Sequence, residues 1–359
     1  MNNNVERFVL SAQRLSEALA VLLELPDQVI APVRAARGDA HFEAVESVDQ
    51  IQIDYGNTLV SPIEYLLPSQ EVMFKYRRNP EGKPEFTPPA PPPDRIIFGI
   101  RPCDVAAIEY GDHFYIEREP ADTLYAARRQ AITLIALACA EPANETCFCS
   151  CCEGGGPVSE SGFDVQLTPL GDQYLVEVAT EKGRRIAQQW QGLLKPAADE
   201  LLEMREAQTR KVMEQQLEPK SYLAAAIRRI TAEKVNPEIW ESIGHDCYSC
   251  GGCSYLCPIC TCYDVVDVEY DDTSGVRIRR TDSCRLAGFV REATGHIPRP
   301  TAASRARWYA YHKLSYDYHE QYGRYGCVGC GRCVITCPGQ IDMPTVCARV
   351  RESETEAAS

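Results

Sequence analysis

Cys247-Tyr-Ser-Cys250-Gly-Gly-Cys253-Ser-Tyr-Leu-Cys257-Pro258 is answered, seventy positions after its last cysteine, by Cys327-Val-Gly-Cys330-Gly-Arg-Cys333-Val-Ile-Thr-Cys337-Pro338. Both stretches read C-x2-C-x2-C-x3-C-P, and eight thiolates so spaced are the ligand set of two cubane 4Fe–4S clusters. Three cysteines at two-residue gaps let one tight loop wrap three corners of a cube, while the fourth is carried off on the following helix. In the two-cluster ferredoxin arrangement that fourth cysteine serves the other cluster. The expected sets are therefore Cys247, Cys250, Cys253 and Cys337 for the first cluster, and Cys327, Cys330, Cys333 and Cys257 for the second. Gly251, Gly252, Gly329 and Gly331 lie between ligands, where free φ lets backbone N–H groups turn toward an anionic cluster. Zinc sites of four cysteines use two separated C-x2-C pairs instead.

Outward from these runs, the chain of 359 residues is long enough for two or three domains. No stretch approaches the ~20 apolar residues that would span a bilayer, and the polar start gives no sign of a signal peptide. A cytoplasmic setting follows as the expectation, and there 18 cysteines are metal ligands or free thiols rather than a disulfide framework. The formal net charge of −14 argues against nucleic acid as the main partner.

Residues 5–25 have helical apolar spacing up to Pro26, and Val29–Val33 and Ile51–Tyr55 read as short strands. The proline-rich stretch from Pro84 to Pro93 reads as extended and solvated. The strand-like Arg95–Arg101 runs into a helical segment, and Ala131–Ala138 is a second buried strand candidate; Cys103 and Cys139 stand at the two carboxyl ends. Phe163–Thr168 and Tyr174–Ala179 form an expected β-hairpin. The fold class that results is α+β to α/β. An α/β domain with a Cys-rich loop covers 1–180, and a helical connector broken at Pro196, Pro219 and Pro237 covers 181–244. A ferredoxin-like two-cluster domain with a long insertion covers 245–348, and a disordered acidic tail covers 349–359.

Ten cysteines stand outside the two runs, and nine of them cluster. Cys139, Cys147, Cys149, Cys151 and Cys152 crowd one segment before Gly154–Gly156, which reads as a flexible loop; Cys260, Cys262 and Cys284 lie in the insertion, and Cys103 closes a strand. Cys139, Cys147, Cys149, Cys260, Cys262 and Cys284 are the candidates for a third 4Fe–4S cluster, with a zinc site or plain reactive or buried thiols as the open alternatives, and spacing alone does not select four of them. His245 and His296 are weaker candidates, and the basic, aromatic stretch Arg299–Lys313 is either a partner-docking or cluster-screening element or a plain amphipathic helix.

Arg101-Pro-Cys-Asp104, Leu124-Tyr-Ala-Ala-Arg-Arg129, Cys147-Phe-Cys149, Cys257-Pro-Ile-Cys-Thr-Cys-Tyr263, Asp282-Ser-Cys284, Gly295-His-Ile-Pro-Arg-Pro300 and His312-Lys313 follow one another in a familiar order. The chain resembles the iron–sulfur beta subunit of cytosolic sulfhydrogenase-type NiFe hydrogenases, together with the related iron–sulfur subunit of anaerobic sulfite reductases. The likeness runs from about residue 5 to 347, and Ser150-Cys151-Cys152 departs from it. It implies an electron-transfer subunit that is not itself the catalyst. Electrons would pass from a flavin- and NAD(P)H-binding reductase subunit to a catalytic subunit of NiFe hydrogenase or siroheme sulfite reductase type. A looser likeness of Gly99–Ile108 to the beta subunit of deazaflavin-reducing hydrogenases bears on the α/β layer only; the alternative function is a flavin-binding oxidoreductase subunit with its own site at the Cys103 and Cys139 strand ends.

Overall fold

The computed structural model describes residues 5–35, 38–152, 155–216 and 223–352. In chain order its strands are β1 (Glu6–Ser11), β2 (Gln28–Arg34), β3 (Ala40–Ala44), β4 (Gln70–Arg78), β5 (Pro84–Thr87), β6 (Arg95–Ile100), β7 (Ile132–Leu137), β8 (Val165–Leu170), β9 (Gln173–Val178), β10 (Lys195–Pro196), β11 (Tyr263–Asp271) and β12 (Ser274–Thr281). The larger sheet has the order β10-β1-β9-β8-β7-β6-β2-β3. Its β2, β6, β7 and β8 run parallel, and antiparallel strands flank them. Every residue of β7 is buried, as expected of a parallel strand covered on both faces, which is why Ile132–Leu137 reads as an unbroken apolar run. Pro102 opens the helix Pro102–Tyr115 directly after β6, and Asp122 caps the helix Thr123–Ala131 that leads into β7. The α/β layer and the Val165–Val178 hairpin are thus as the sequence implies.

Four expectations change. The helix expected over 5–25 is split. Glu6–Ser11 pairs with β9 from Glu6↔Val178 to Ser11↔Gln173, and the helical part is Leu15–Leu23, entered by a 3-10 turn at Ala12–Arg14. Cross-strand pairing overrides a pattern that fits both periods. The strand expected at Ile51–Tyr55 is irregular chain, with the Tyr55 hydroxyl donating to the Gly99 carbonyl. Within the connector, Lys195–Pro196 joins the sheet edge beside Phe8 and Val9, where a proline costs no ladder bond. The last helix, Met343–Glu352, buries Val350, so ordered chain continues past 349; residues 353–359 of the expected tail, Gly154 and Pro219 lie outside the described residues.

The insertion between the cysteine runs is built into the fold. Its hairpin β11–β12 extends β4 antiparallel, from Ser274↔Arg77 to Arg280↔Gln70, making the second sheet β11-β12-β4-β5. Buried Arg279 donates through Nε to Glu71 at 2.6 Å and pairs with Asp122, while Arg128 also pairs with Glu71. Among the described residues there are two large hydrophobic cores and a small third one around Leu170, Leu175 and Leu201, and each of the large two takes residues from the other's territory. Ile259, Tyr322, Val328 and Cys330 pack into the core of the larger sheet, and Phe148 packs into the core formed by the C-terminal helices.

Candidate metal centre

The two cysteine runs fold alike. Cys247–Ser249 and Cys327–Gly329 reach a positive φ at the third position, 51° at Ser249 and 62° at Gly329. Two residues later Gly251 (78°) and Gly331 (79°) repeat it and open the short helices Gly252–Tyr255 and Arg332–Thr336. Left-handed positions turn successive N–H groups inward, which makes a concave anion cradle. Ser249 N–H points to Cys247 Sγ at 3.3 Å, and Ile341 N–H to Cys337 Sγ at 3.3 Å. At Gly331 a Cβ would lie 2.5 Å from the Thr146 hydroxyl and 2.6 Å from its carbonyl oxygen; the Cys-rich N-terminal loop lies directly on the second run. Phe148 N–H donates to the Gly329 carbonyl at 2.8 Å along that contact.

The two fourth cysteines each lie near the opposite run, Cys337 beside Cys253 and Cys257 beside Cys327, Cys330 and Cys333, while Cys257 also neighbours Cys253 of its own run. Burial pushes the Cys253 thiol up to about 11 against the opposing Arg285, and Cys337 and Cys247 are among the neighbours that add to the rise. For Cys330, burial raises the thiol to about 12 against Arg332, with Cys257 adding to it, and Cys257 also faces Cys327 and Cys333. Cys257 itself is drawn well down, by the Cys260 thiol and by Lys313, whose Nζ donates to it at 3.2 Å. Arg285 Nη2 donates to Cys247 Sγ at 2.9 Å. Buried thiols supplied with cations and backbone donors fit an anionic iron–sulfur cluster.

Arg332 ties the second run to the α/β layer. It is 1% exposed, and it meets both oxygens of Asp104 at 2.7 and 2.9 Å, the Thr58 carbonyl at 2.8 Å and Asn57 Oδ1 at 2.9 Å. Asn57 in turn donates to the Cys330 carbonyl at 2.9 Å. The carboxyl end of β6, expected as a possible flavin crevice, is therefore covered by the second cysteine run.

The six further cysteines form two groups. Cys139, Cys147 and Cys149 are neighbours, and Arg101 sits among Cys139, Cys103 and Cys147. Arg101 is buried over the Tyr55 ring at 4.1 Å, and its Nε has no hydrogen-bond partner among the described residues. Cys149 Sγ meets Gln216 Oε1 at 3.3 Å and Cys147 Sγ meets Asn144 Oδ1 at 3.1 Å. The second group is Cys260, Cys262 and Cys284. A hydrogen bond from Cys284 draws the Cys262 thiol down to about 7, and both line a 210 Å³ cavity with Cys260, Lys313 and four tyrosines. Cys152 Sγ lies 4.0 Å from Cys327 Sγ, whereas Cys151 faces the Gln216 carbonyl. Cys347 is a buried core residue, and His245 and His296 are exposed. Sequence reasoning overlooked Arg101, Arg285 and Arg332 as counterions, although each lies next to or within two residues of a cysteine. An arginine beside a cysteine is too common to single out before the fold turns it inward.

Residues 246–341 match the 4Fe-4S dicluster domain family. A chain of the F420-reducing [NiFe] hydrogenase complex from Methanosarcina barkeri aligns with a TM-score of 0.36 at 11% identity, over 65% of this chain and 94% of that one. Over 330 residues the chain is 30% identical to sulfhydrogenase 2 subunit beta of Pyrococcus furiosus, covering 90% of this chain and 92% of the relative. With the dicluster domain and 30% identity along nearly its whole length, the chain belongs to the family of iron–sulfur beta subunits of sulfhydrogenases.

Proposed function

We propose that this chain is the electron-relay subunit of a multi-subunit complex. It would take electrons from a flavin- and NAD(P)H-binding reductase subunit, delivering them to a catalytic subunit of NiFe hydrogenase or siroheme sulfite reductase type. The crossing of Cys257 and Cys337 between the two runs carries this reading, because it supports two clusters side by side within one folded unit. Cys247, Cys250, Cys253 and Cys337 would hold one cluster, and Cys327, Cys330, Cys333 and Cys257 the other. When bound, a 4Fe–4S cluster supplies one-electron transfer without bond chemistry. The protein's part is to fix the separation, bury the thiolates and aim donors at sulfur. Cys250 is the one exposed cysteine, so the first set faces solvent while the second is enclosed.

Domain limits of 1–180, 181–244 and 245–352, the last moved from 348 to the end of the helix Met343–Glu352, go with this reading. So does a third cluster, for which the Arg101 group is favoured: Cys103, Cys139, Cys147 and Cys149 offer four thiols around a buried guanidinium with an unpaired donor. The covered β6 end counts against the alternative of a flavin site at Cys103 and Cys139. Anaerobic reconstitution tests the whole. About twelve irons per chain without flavin, falling to about eight in Cys139→Ser and holding in Cys284→Ser, are expected from four irons per cluster. About eight in the parent chain removes the third cluster, and bound flavin removes the relay reading in favour of its alternative. Nickel and siroheme assays on the complex co-purified under anaerobic conditions identify the terminal partner.

A further inference from the structure

The basic and aromatic stretch of the insertion turns two of its charges, Arg305 and Lys313, inward, while Arg307 pairs with Glu233 at the surface. Thr301 caps the helix Ala302–Leu314, and Arg305, Tyr309 and Lys313, four residues apart, share one face. All three are buried, at 6%, 8% and 5% exposure. Lys313 Nζ donates to Cys257 Sγ at 3.2 Å. Arg305 Nε donates to the Arg285 carbonyl at 2.8 Å and so holds the residue whose Nη2 donates to Cys247 Sγ at 2.9 Å. The Tyr309 ring receives both cations, Lys313 Nζ at 5.6 Å and the Arg285 guanidinium at 5.4 Å from its centroid, and its hydroxyl donates to the Cys253 carbonyl at 2.9 Å. One aromatic ring thus contacts two buried cations, and each cation is bonded to a thiol of a different expected cluster set.

A buried cation without a counter-charge costs several kcal/mol, so these two positions are held for an anionic neighbour. Neither has a carboxylate within ion-pair distance among the described residues; sulfur is what they face. We infer that Lys313 and Arg285 set the reduction potentials of the two clusters separately, each through the one thiolate it bonds. The inference rests on the relay reading. Reduction adds one electron, from the partner or from a chemical reductant, and so one negative charge to the cluster. A fixed cation bonded to a ligand sulfur stabilises the reduced form and raises the potential of that cluster. The insertion between the cysteine runs would then be the device that grades the two centres.

The test is an EPR-monitored redox titration of the anaerobically reconstituted full-length chain, with Cys250→Ser identifying the first cluster's signal. Lys313→Met is expected to move the second cluster's midpoint to more negative potential and leave the first where it was. Arg285→Met is expected to do the reverse, and Lys313→Arg to stay near the parent value. If the Met variants fail to take up iron, Lys313→Gln and Arg285→Gln carry the same expectations. Two intact signals with unmoved midpoints, or both variants moving the same signal, would overturn the inference and leave the relay reading standing. A parent chain without two reducible cubane signals would overturn both.

Discussion

Asp104 accepts two hydrogen bonds from Arg332 and one from the Ser61 hydroxyl, and carboxylate and guanidinium are each 1% exposed. A pair so enclosed adds little net stability over an apolar replacement, but breaking it by removing one partner is expensive. Asp104→Ala should therefore destabilise the chain by about 3–5 kcal/mol in urea unfolding, and Asp104→Leu with Arg332→Met together by much less. The Arg101-Pro-Cys-Asp104 motif gains a physical reason from this contact. Its aspartate anchors a cysteine run more than two hundred positions away, and its arginine serves the Cys139 group. None of that was legible beforehand, because the sequence carries no sign of which distant cation an aspartate will meet.

Among elements, the cysteine runs were the readable part: spacing that must wrap a cube leaves few alternatives, and the repeat of positive φ at Ser249/Gly329 and Gly251/Gly331 follows from it. Gly331→Ala should cost about 1–2 kcal/mol for the left-handed backbone alone, and more for the Thr146 contact. The expected readout is a lower melting temperature together with iron lost from the second set. The insertion was less readable. The hairpin β11–β12 went unread in the sequence, and nothing local indicates that β4, some two hundred positions earlier, supplies its third strand. Arg279 fastens that junction from within, so Arg279→Ala should destabilise by about 3 kcal/mol, with Glu71 and Asp122 left short of a partner. The split of 5–25 into strand and helix escaped for the opposite reason, since Val5–Leu10 suits either period and only β9 decides.

Across the whole molecule the two large hydrophobic cores exchange residues, with Phe148 in one and Val328 and Cys330 in the other. Cluster and core stability should then be coupled: chelation of iron under anaerobic conditions is expected to lower the melting temperature of the whole chain in one transition. Two transitions, with the larger sheet melting as before, would contradict that coupling. No helix among the described residues is long and apolar enough to cross a membrane. The crossing of the fourth cysteines also bears on how the chain is made. Cys247, Cys250 and Cys253 leave the ribosome with Cys257 next in line, while Cys337 follows eighty residues behind it. With the ligand sets proposed above, a nascent chain stopped before Cys327 offers the four thiols of the first run without their proposed partners, whereas the released chain offers both sets. With that assignment, iron delivered after translation ends would find both crossed sets complete.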